Sequence, residues 1–189
     1  MTRPARLAIA LAIVVAVVLW LTACSVPDAA TSPGYVSGDG AVTEWDVGKR
    51  PGPLDFSATT FDGDALALAD YRGQVVVVTT WYANCPPCRA EAPDLNALDA
   101  LDGVSVIALN VRDDAATAQA FRRTFSTTYP LVDGTDGTAV AAMQGLVAMR
   151  AVPTALIIDA NGMVAARTVG RVEASTMEAL VRAAGEGST

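Results

Sequence analysis

The sequence predicts an α/β domain built around a mixed β-sheet. Two observations lead to this fold class. Apolar, β-branched runs alternate with segments of helical periodicity between Pro53 and Ala184, and the turn dipeptides Asp62-Gly63 and Asn161-Gly162 each join two short extended segments. Strands connected by helices pair in parallel, whereas strands joined by tight turns pair antiparallel, so one sheet should contain both arrangements.

The expected elements follow one another with short connections. In chain order, they are strands at Leu54–Phe61, Ala65–Leu68 and Val75–Trp81, a helix at Pro86–Leu101, a strand at Val104–Val111, a helix ending at Phe125, an extended piece at Tyr129–Val132, a helix at Thr138–Gly145, strands at Thr154–Asp159 and Met163–Val169, and a helix at Glu173–Ala184. Every residue of the run Val75–Trp81 is either apolar or β-branched, which is typical of a strand covered on both faces. The dipeptide Asn161-Gly162 favours a type I′ turn.

The helices are supported by periodicity and by capping residues. Leu95, Leu98 and Leu101 are spaced to lie on one face of the helix that begins at Pro86. Either Asp113 or Asp114 can cap the helix that follows the next strand, because a short acidic side chain accepts hydrogen bonds from the first helical amides.

Two cysteines stand at the start of the helix that follows the buried strand. Cys85 and Cys88 enclose Pro86 and Pro87, and residues three apart on one helical turn bring their sulfurs within disulfide range. A helix N-terminus stabilises a thiolate through its dipole and its unpaired amides. Prolines are tolerated there because the first-turn amides have no partner within the helix. The motif therefore indicates dithiol–disulfide chemistry.

Other uses of the pair are weaker interpretations. A structural zinc site needs four ligands, and the chain has no histidine and three cysteines. A purely structural disulfide across two residues would restrain the unfolded chain weakly. A copper-binding module could use both thiols as soft ligands, although the chain lacks a Met-rich tract. A thiol peroxidase would need Thr three residues before its reactive cysteine. Here Tyr82 stands three residues before Cys85, and Cys85 stands three residues before Cys88. We expect no metal and no cofactor.

The first 52 residues predict export and attachment to a membrane. Arg3 and Arg6 precede the uncharged apolar run Leu7–Leu21, which is short for a membrane span and suits a secretory signal. The segment ending at Cys24 resembles the lipobox of bacterial lipoproteins, in which the cysteine is lipidated after cleavage. We therefore expect a signal peptide at 1–23, a lipidated Cys24 with a flexible tether to 52, and a domain at 53–189. The alternative is a retained signal anchor.

The charge of the mature chain limits its partners. Removing Arg3 and Arg6 with the signal leaves 11 basic and 20 acidic residues, a net charge of −9. Nucleic acids and anionic lipid headgroups are poor partners for such a surface. Membrane attachment would then depend on the acyl chains of Cys24.

Several separate motifs resemble the TlpA-like branch of thioredoxin-fold proteins, which are bacterial extracytoplasmic thiol–disulfide oxidoreductases. They are the turn Leu68–Gly73, Trp81 with Cys85-Pro86-Pro87-Cys88, the segment Arg89–Pro93, the stretch Ala115–Gly145, and Val152-Pro153-Thr154 followed by Ile157–Gly162. The resemblance covers nearly all of the mature domain. It implies a thioredoxin fold, a mixed central sheet flanked by helices, with an N-terminal β-hairpin and a central βα insertion.

The resemblance also implies roles for individual residues. Cys85 would attack a substrate disulfide and Cys88 would resolve the mixed disulfide, while Glu91 would tune cysteine ionisation and accept a proton. The implied contacts to substrate are Trp81, Pro86, Val152 and Pro153.

The loop at Pro153 has a physical basis of its own. An X–Pro bond has a low cost in the cis form, and a cis bond here would leave the Val152 backbone free to pair with an extended substrate. The alternative is a trans proline at the start of a strand.

The chain departs from the family pattern at two positions. Thr79 occupies the place of thioredoxin's buried aspartate, which leaves Glu91 as the nearby acid. Asn84 replaces the tryptophan common before the first cysteine, and Tyr82 could partly substitute for it.

The family analogy favours a reductant in cytochrome c maturation, with disulfide or dithiol proteins such as apocytochrome c as substrates and a membrane thiol–disulfide protein as redox partner. The same two cysteines would equally serve an oxidant of secreted proteins, because the direction depends on the reduction potential.

Overall fold

The computed structural model describes residues 40–147 and 151–187. The strands in this part of the chain are β1 (Ala41–Glu44), β2 (Ser57–Thr60), β3 (Ala65–Ala67), β4 (Val75–Trp81), β5 (Val104–Asn110), β6 (Leu131–Asp133), β7 (Thr154–Ile158) and β8 (Val164–Val169). The helices are α1 (Pro86–Asp99), α2 (Ala115–Phe125), α3 (Thr138–Ala142) and α4 (Ala174–Glu186), with a 3-10 turn at Leu68–Tyr71. Each predicted element is present, with its ends displaced by up to three residues.

The described strands form one mixed sheet in the order β1-β8-β7-β4-β5-β6-β2-β3. Strand β4 pairs in parallel with β5, which pairs in parallel with β6, and the remaining neighbours are antiparallel. The β2–β3 hairpin and the α2-β6-α3 insertion extend the sheet on one side. This arrangement confirms the predicted thioredoxin fold.

Two apolar layers cover the sheet because the side chains of a strand alternate between its faces. On β4, Val75 and Val77 belong to the layer formed with α1, α2 and α4, whereas Val76 and Val78 belong to the layer formed with α3 and the β3 region. All seven β4 residues are buried, as the unbroken apolar run predicts. The first layer contains both cysteines, so the predicted dithiol lies at the edge of a core.

The predicted flexible tether is wrong for its last part. Strand β1 pairs antiparallel with β8, and Trp45 packs against the second apolar layer. Arg50 forms a buried ion pair with Asp159 at 2.7 Å, and the carbonyl of Pro51 accepts a hydrogen bond from Val164 N–H. The domain therefore starts before the predicted Pro53. Composition does not reveal this, because the partners of these residues lie more than a hundred positions along the chain.

The predicted signal peptide and Cys24 lie outside the described residues. Within the described ranges, no helix is both long enough and apolar enough to cross a membrane.

Two local predictions are corrected. Helix α1 ends at Asp99, so Leu101 does not continue its apolar face and is 47% exposed. A type I′ turn needs a positive φ at both of its central residues. Gly162 has a φ of 85°, but Asn161 does not have a positive φ, because Ser126 is the one non-glycine residue with positive φ in the described chain. The turn at Asn161-Gly162 is therefore not type I′. The Asp159 carboxylate instead accepts the N–H groups of Asn161 and Met163, each at 2.9 Å, which shapes a longer turn.

The Arg50–Asp159 pair allows the domain boundary to be tested. Their side chains are 8% and 3% exposed, so replacing Arg50→Met leaves a buried carboxylate without its counter-charge. We expect the free energy of unfolding to fall by about 3 kcal/mol, measured by urea denaturation.

Lys49→Met is the matched control. Lys49 pairs with Asp46 at 3.0 Å with side chains 74% and 76% exposed, and such a pair contributes at most about 1 kcal/mol. Equal effects of the two substitutions would contradict the inclusion of this segment in the folded domain.

Candidate active site

The dithiol lies where β4 passes into α1. Cys85 is the N-cap residue of α1, with extended backbone, and it is bonded to Cys88 in a disulfide with Cα atoms 5.3 Å apart. The backbone N–H of Cys88 donates a hydrogen bond to Sγ of Cys85 at 3.2 Å. In the reduced protein, the same donor and the helix dipole would stabilise a thiolate at this sulfur. The predicted position at a helix N-terminus is confirmed.

Both cysteines are buried in this oxidised form, whereas the position of Cys85 at the start of a helix predicts an exposed attacking thiolate. Cys85 is 1% exposed and Cys88 is 3% exposed, so accessibility does not distinguish them. Sγ of Cys85 lies 3.8 Å from the carbonyl oxygen of Val152, which partly covers it. Cys85 differs from Cys88 in two other respects, since it caps the helix and faces the loop at Pro153.

The peptide bond between Val152 and Pro153 is cis, as predicted. The hydroxyl of Thr80 on β4 accepts the N–H of Thr154 at 3.0 Å and donates to the carbonyl of the same residue at 3.3 Å. The N–H of Gly170 donates to the carbonyl of Pro153 at 2.8 Å. Strand β4 therefore positions both the cysteines and this loop. Sequence reasoning missed Thr80, which carries no motif of its own.

An open groove of about 550 Å³ lies beside the dithiol. Its lining comes from the first turn of α1 and from the segment after β8, namely Pro86, Pro87, Ala90, Gly170, Arg171, Val172 and Glu173. Pro86 is exposed there, and its contact with substrate stays a prediction.

Trp81 does not lie at this surface. It is 3% exposed, and its ring packs against Phe121 with centroids 4.3 Å apart. The predicted substrate contact is therefore corrected to a packing role, because the side chain points into the layer between the sheet and α2.

Glu91 lies one helical turn beyond Cys88 and is 4% exposed. Burial raises the pKa of this carboxyl to about 7, the nearby negative Asp94 adds to the rise, and the positive charge of Arg171 opposes it. Arg171 is held beside α1 by Asp94 at 2.9 Å. Burial, together with the charge of Glu91, also raises the pKa of Tyr129. A carboxyl with this pKa can take up or release a proton near neutral pH.

Sequence reasoning missed Asp94 and Arg171. They are 77 positions apart, and no local pattern indicates that they meet beside Glu91. Thr79 is buried in β4 and has no ionisable group, as the departure from the thioredoxin pattern implies.

The other departure lies in the turn before Cys85. Asn84 is exposed, and Tyr82 is half-buried beneath the guanidinium group of Arg112, which lies 4.0 Å from the ring centroid. Within the described ranges, no group of three or more His, Cys, Asp or Glu residues is placed to hold a metal ion.

A family model described as the AhpC/TSA family matches residues 51–167, which is more than half of the chain. The chain belongs to the AhpC/TSA family. This match includes both cysteines, Glu91 and the loop at Pro153.

Curated relatives and solved structures agree with this membership. The thiol-disulfide oxidoreductase ResA of Geobacillus kaustophilus is 34% identical over 114 residues, covering 58% of this chain and 63% of ResA. The thiol:disulfide interchange protein DsbE of Pseudomonas fluorescens is 34% identical over 127 residues, covering 66% of this chain and 67% of DsbE. The crystal structure of a DsbF homologue from Corynebacterium diphtheriae is 28% identical and superimposes with a TM-score of 0.68, covering 81% of this chain and 99% of that one. The chain thus matches less than two thirds of the length of ResA.

The raised pKa of Glu91 predicts a pH-dependent stability of the oxidised protein. The folded state binds this proton more tightly than the unfolded state, so the stabilisation is complete below the unfolded pKa of about 4.5 and is lost as the pH rises through about 7. Glu91→Gln removes this dependence. Urea denaturation measures the effect. Between about pH 4 and pH 8, the free energy of unfolding of wild type should fall by up to about 3 kcal/mol relative to that of Glu91→Gln.

Glu178→Gln serves as the control, because it removes a carboxyl from the exposed face of α4 and not from the core. Parallel curves for wild type and Glu91→Gln would contradict the assignment.

Proposed function

We propose that this chain is an extracytoplasmic thiol–disulfide oxidoreductase that exchanges disulfides with protein substrates through Cys85 and Cys88. The observation that carries the proposal is the disulfide at the N-terminus of α1, with Sγ of Cys85 accepting the N–H of Cys88 and facing the carbonyl of Val152. The names of the curated relatives, ResA and DsbE, support the same activity.

In the reducing direction, the thiolate of Cys85 attacks a substrate disulfide and forms a mixed disulfide, and one substrate sulfur leaves as a thiolate. Cys88 then loses its proton and attacks Sγ of Cys85, which closes the enzyme disulfide and releases the second substrate sulfur. Two electrons pass to the substrate. Glu91 lies one turn from Cys88, and its ionised carboxylate would take up the proton that Cys88 gives up.

Substrate would bind across the loop at Pro153 and the groove beside α1. Val152 presents its backbone next to Sγ of Cys85, so an extended segment that pairs with it brings its own disulfide to the sulfur. Pro86 on the exposed first turn of α1 would contact the same segment, whereas the cis geometry at Pro153 sets the direction of the loop.

We assign the in vivo direction to reduction, as in cytochrome c maturation, with apocytochrome c as the substrate and a membrane thiol–disulfide protein as electron donor. The opposite role, oxidation of secreted proteins, uses the same atoms. The reduction potential of the Cys85–Cys88 pair separates the roles, because a value near that of thioredoxin favours reduction and a value near that of DsbA favours oxidation.

The assigned order of attack predicts different behaviour of the two single-cysteine variants. Cys88→Ala should accumulate mixed disulfides with substrate through Cys85, because the resolving thiol is missing. Cys85→Ala should form few, and both should lose catalysed reduction of a fluorescent disulfide substrate by a thiol reductant.

Nonreducing electrophoresis and mass spectrometry measure the trapped species. Equal trapping by the two variants would reject the order of attack. Absence of turnover by the wild-type chain would reject the enzymatic function. It would favour the alternative of a module that binds a soft metal such as copper through both thiols.

We also propose that Cys24 carries a lipid that anchors the chain to a bacterial membrane outside the cytoplasm. The mature chain has a net charge of −9, which disfavours binding to anionic headgroups, so attachment would rest on acyl chains.

Cys24→Ala should therefore move the protein from the membrane fraction to the soluble fraction without lowering its specific disulfide-exchange activity, since Cys24 stands 61 positions before Cys85 in the sequence. Immunoblots of fractionated cells and a turnover assay measure the two effects. Retention of the variant in the membrane would contradict lipid anchoring and favour a retained signal anchor.

A further inference from the structure

The turn Tyr82–Asn84 connects β4 to Cys85 and belongs to neither a strand nor a helix. Its middle residue, Ala83, is held at both backbone groups by side chains from outside the turn. Oδ2 of Asp113 accepts the N–H of Ala83 at 2.6 Å, and Nη1 of Arg89 donates to the carbonyl of Ala83 at 3.2 Å. In this short turn, the N–H and the carbonyl of Ala83 are therefore each hydrogen-bonded to a side chain from outside the turn.

Asp113 is itself fixed by the sheet. Asn110 at the end of β5 is fully buried, and its Nδ2 donates to Oδ2 of Asp113 at 2.9 Å. Oδ1 of Asn110 accepts the N–H groups of Arg112 at 2.9 Å and Asp113 at 2.7 Å. Asn110 also stands opposite Trp81 in the parallel β4–β5 register. The carboxylate is thus held at a defined distance from the end of β4.

The position of Ala83 matters for Cys85 because the turn closes on it. The N–H of Cys85 donates to the carbonyl of Tyr82 at 3.2 Å, so Ala83 and Asn84 lie inside this hydrogen-bonded turn. Restraining both backbone groups of Ala83 restrains the direction in which Cys85 leaves the turn. The side chains of Ala83 and Asn84 add little restraint, because Asn84 is exposed and Ala83 has a single methyl group, whereas Tyr82 at the start of the turn packs beneath Arg112.

We infer that Asp113 is a positioning residue for the dithiol, holding Cys85 in register with Cys88 through the backbone of Ala83. The inference rests on the proposed disulfide exchange through this pair. A restrained turn raises the effective concentration of one thiol near the other, which favours the disulfide. Without the carboxylate, Cys85 would sample orientations away from Cys88, and the redox equilibrium would shift toward the reduced dithiol.

The test is the redox equilibrium of the full chain with glutathione. In Asp113→Ala, the ratio of disulfide to dithiol should fall about fivefold relative to wild type, equivalent to about 20 mV for a two-electron couple. Alkylation of free thiols followed by mass spectrometry measures the ratio.

Asp114→Ala is a matched control from the adjacent position. Oδ1 of Asp114 accepts the N–H of Thr117 at 2.8 Å and caps α2, so this variant also loses a carboxylate and a backbone hydrogen bond. In the described structure Asp114 makes no hydrogen bond to Ala83, so the ratio of disulfide to dithiol in this variant should equal that of wild type. An unchanged ratio in folded Asp113→Ala, or equal shifts in both variants, would overturn the inference.

Amide hydrogen exchange of oxidised wild type provides a measurement that does not depend on the folding of a variant. The Ala83 amide should be protected, and exchange at the rate of an unstructured peptide would overturn the inference. The glutathione equilibrium requires no protein substrate. If the chain showed no catalytic turnover but its ratio of disulfide to dithiol still depended on Asp113, the proposed function would be rejected and the positioning role would be supported.

Discussion

Strand β4 is the constraint on which the rest of the site depends. It is buried along its whole length, pairs with β5 over all seven residues and pairs with β7 from Val76 to Thr79. A strand with neighbours on both edges and apolar layers on both faces has little freedom to move its end. The turn to Cys85 therefore starts from a fixed point, and Thr80 holds the strand after Pro153 against the same point.

The electrostatics of the site combine two opposite effects. The N–H of Cys88 favours negative charge on Cys85, because it points at the sulfur from the first turn of α1, where Pro86 and Pro87 carry no N–H. Burial disfavours negative charge on Glu91, one turn beyond Cys88, and raises its pKa to about 7. A carboxyl that is partly protonated at neutral pH can exchange protons with a neighbouring thiol while placing less negative charge beside the thiolate than an ionised surface glutamate would.

Local patterns in the chain predict most of the fold. The unbroken apolar run at β4 predicts a strand buried on both faces, and Asp62-Gly63 predicts the β2–β3 hairpin, because both signals arise from neighbouring residues. Strand β1 escapes such prediction, since it consists of four residues in a segment rich in glycine and proline, and its partner β8 is far along the chain. The turn after β7 also differs from expectation, because the Asp159 carboxylate contributes hydrogen bonds that a dipeptide rule does not include.

The sequence by itself determined the chemistry of the site: two cysteines at a helix N-terminus, an acid one turn later and a proline whose peptide bond can adopt the cis form. Tertiary structure decided how these groups are exposed and held. It buried Cys85, placed Trp81 in the core, and brought Arg171 to Asp94 and Asp113 to Ala83. The physical reason is that exposure and side-chain contacts depend on which segments pack together, and segments 30 to 77 positions apart leave no periodic or local signal of their meeting.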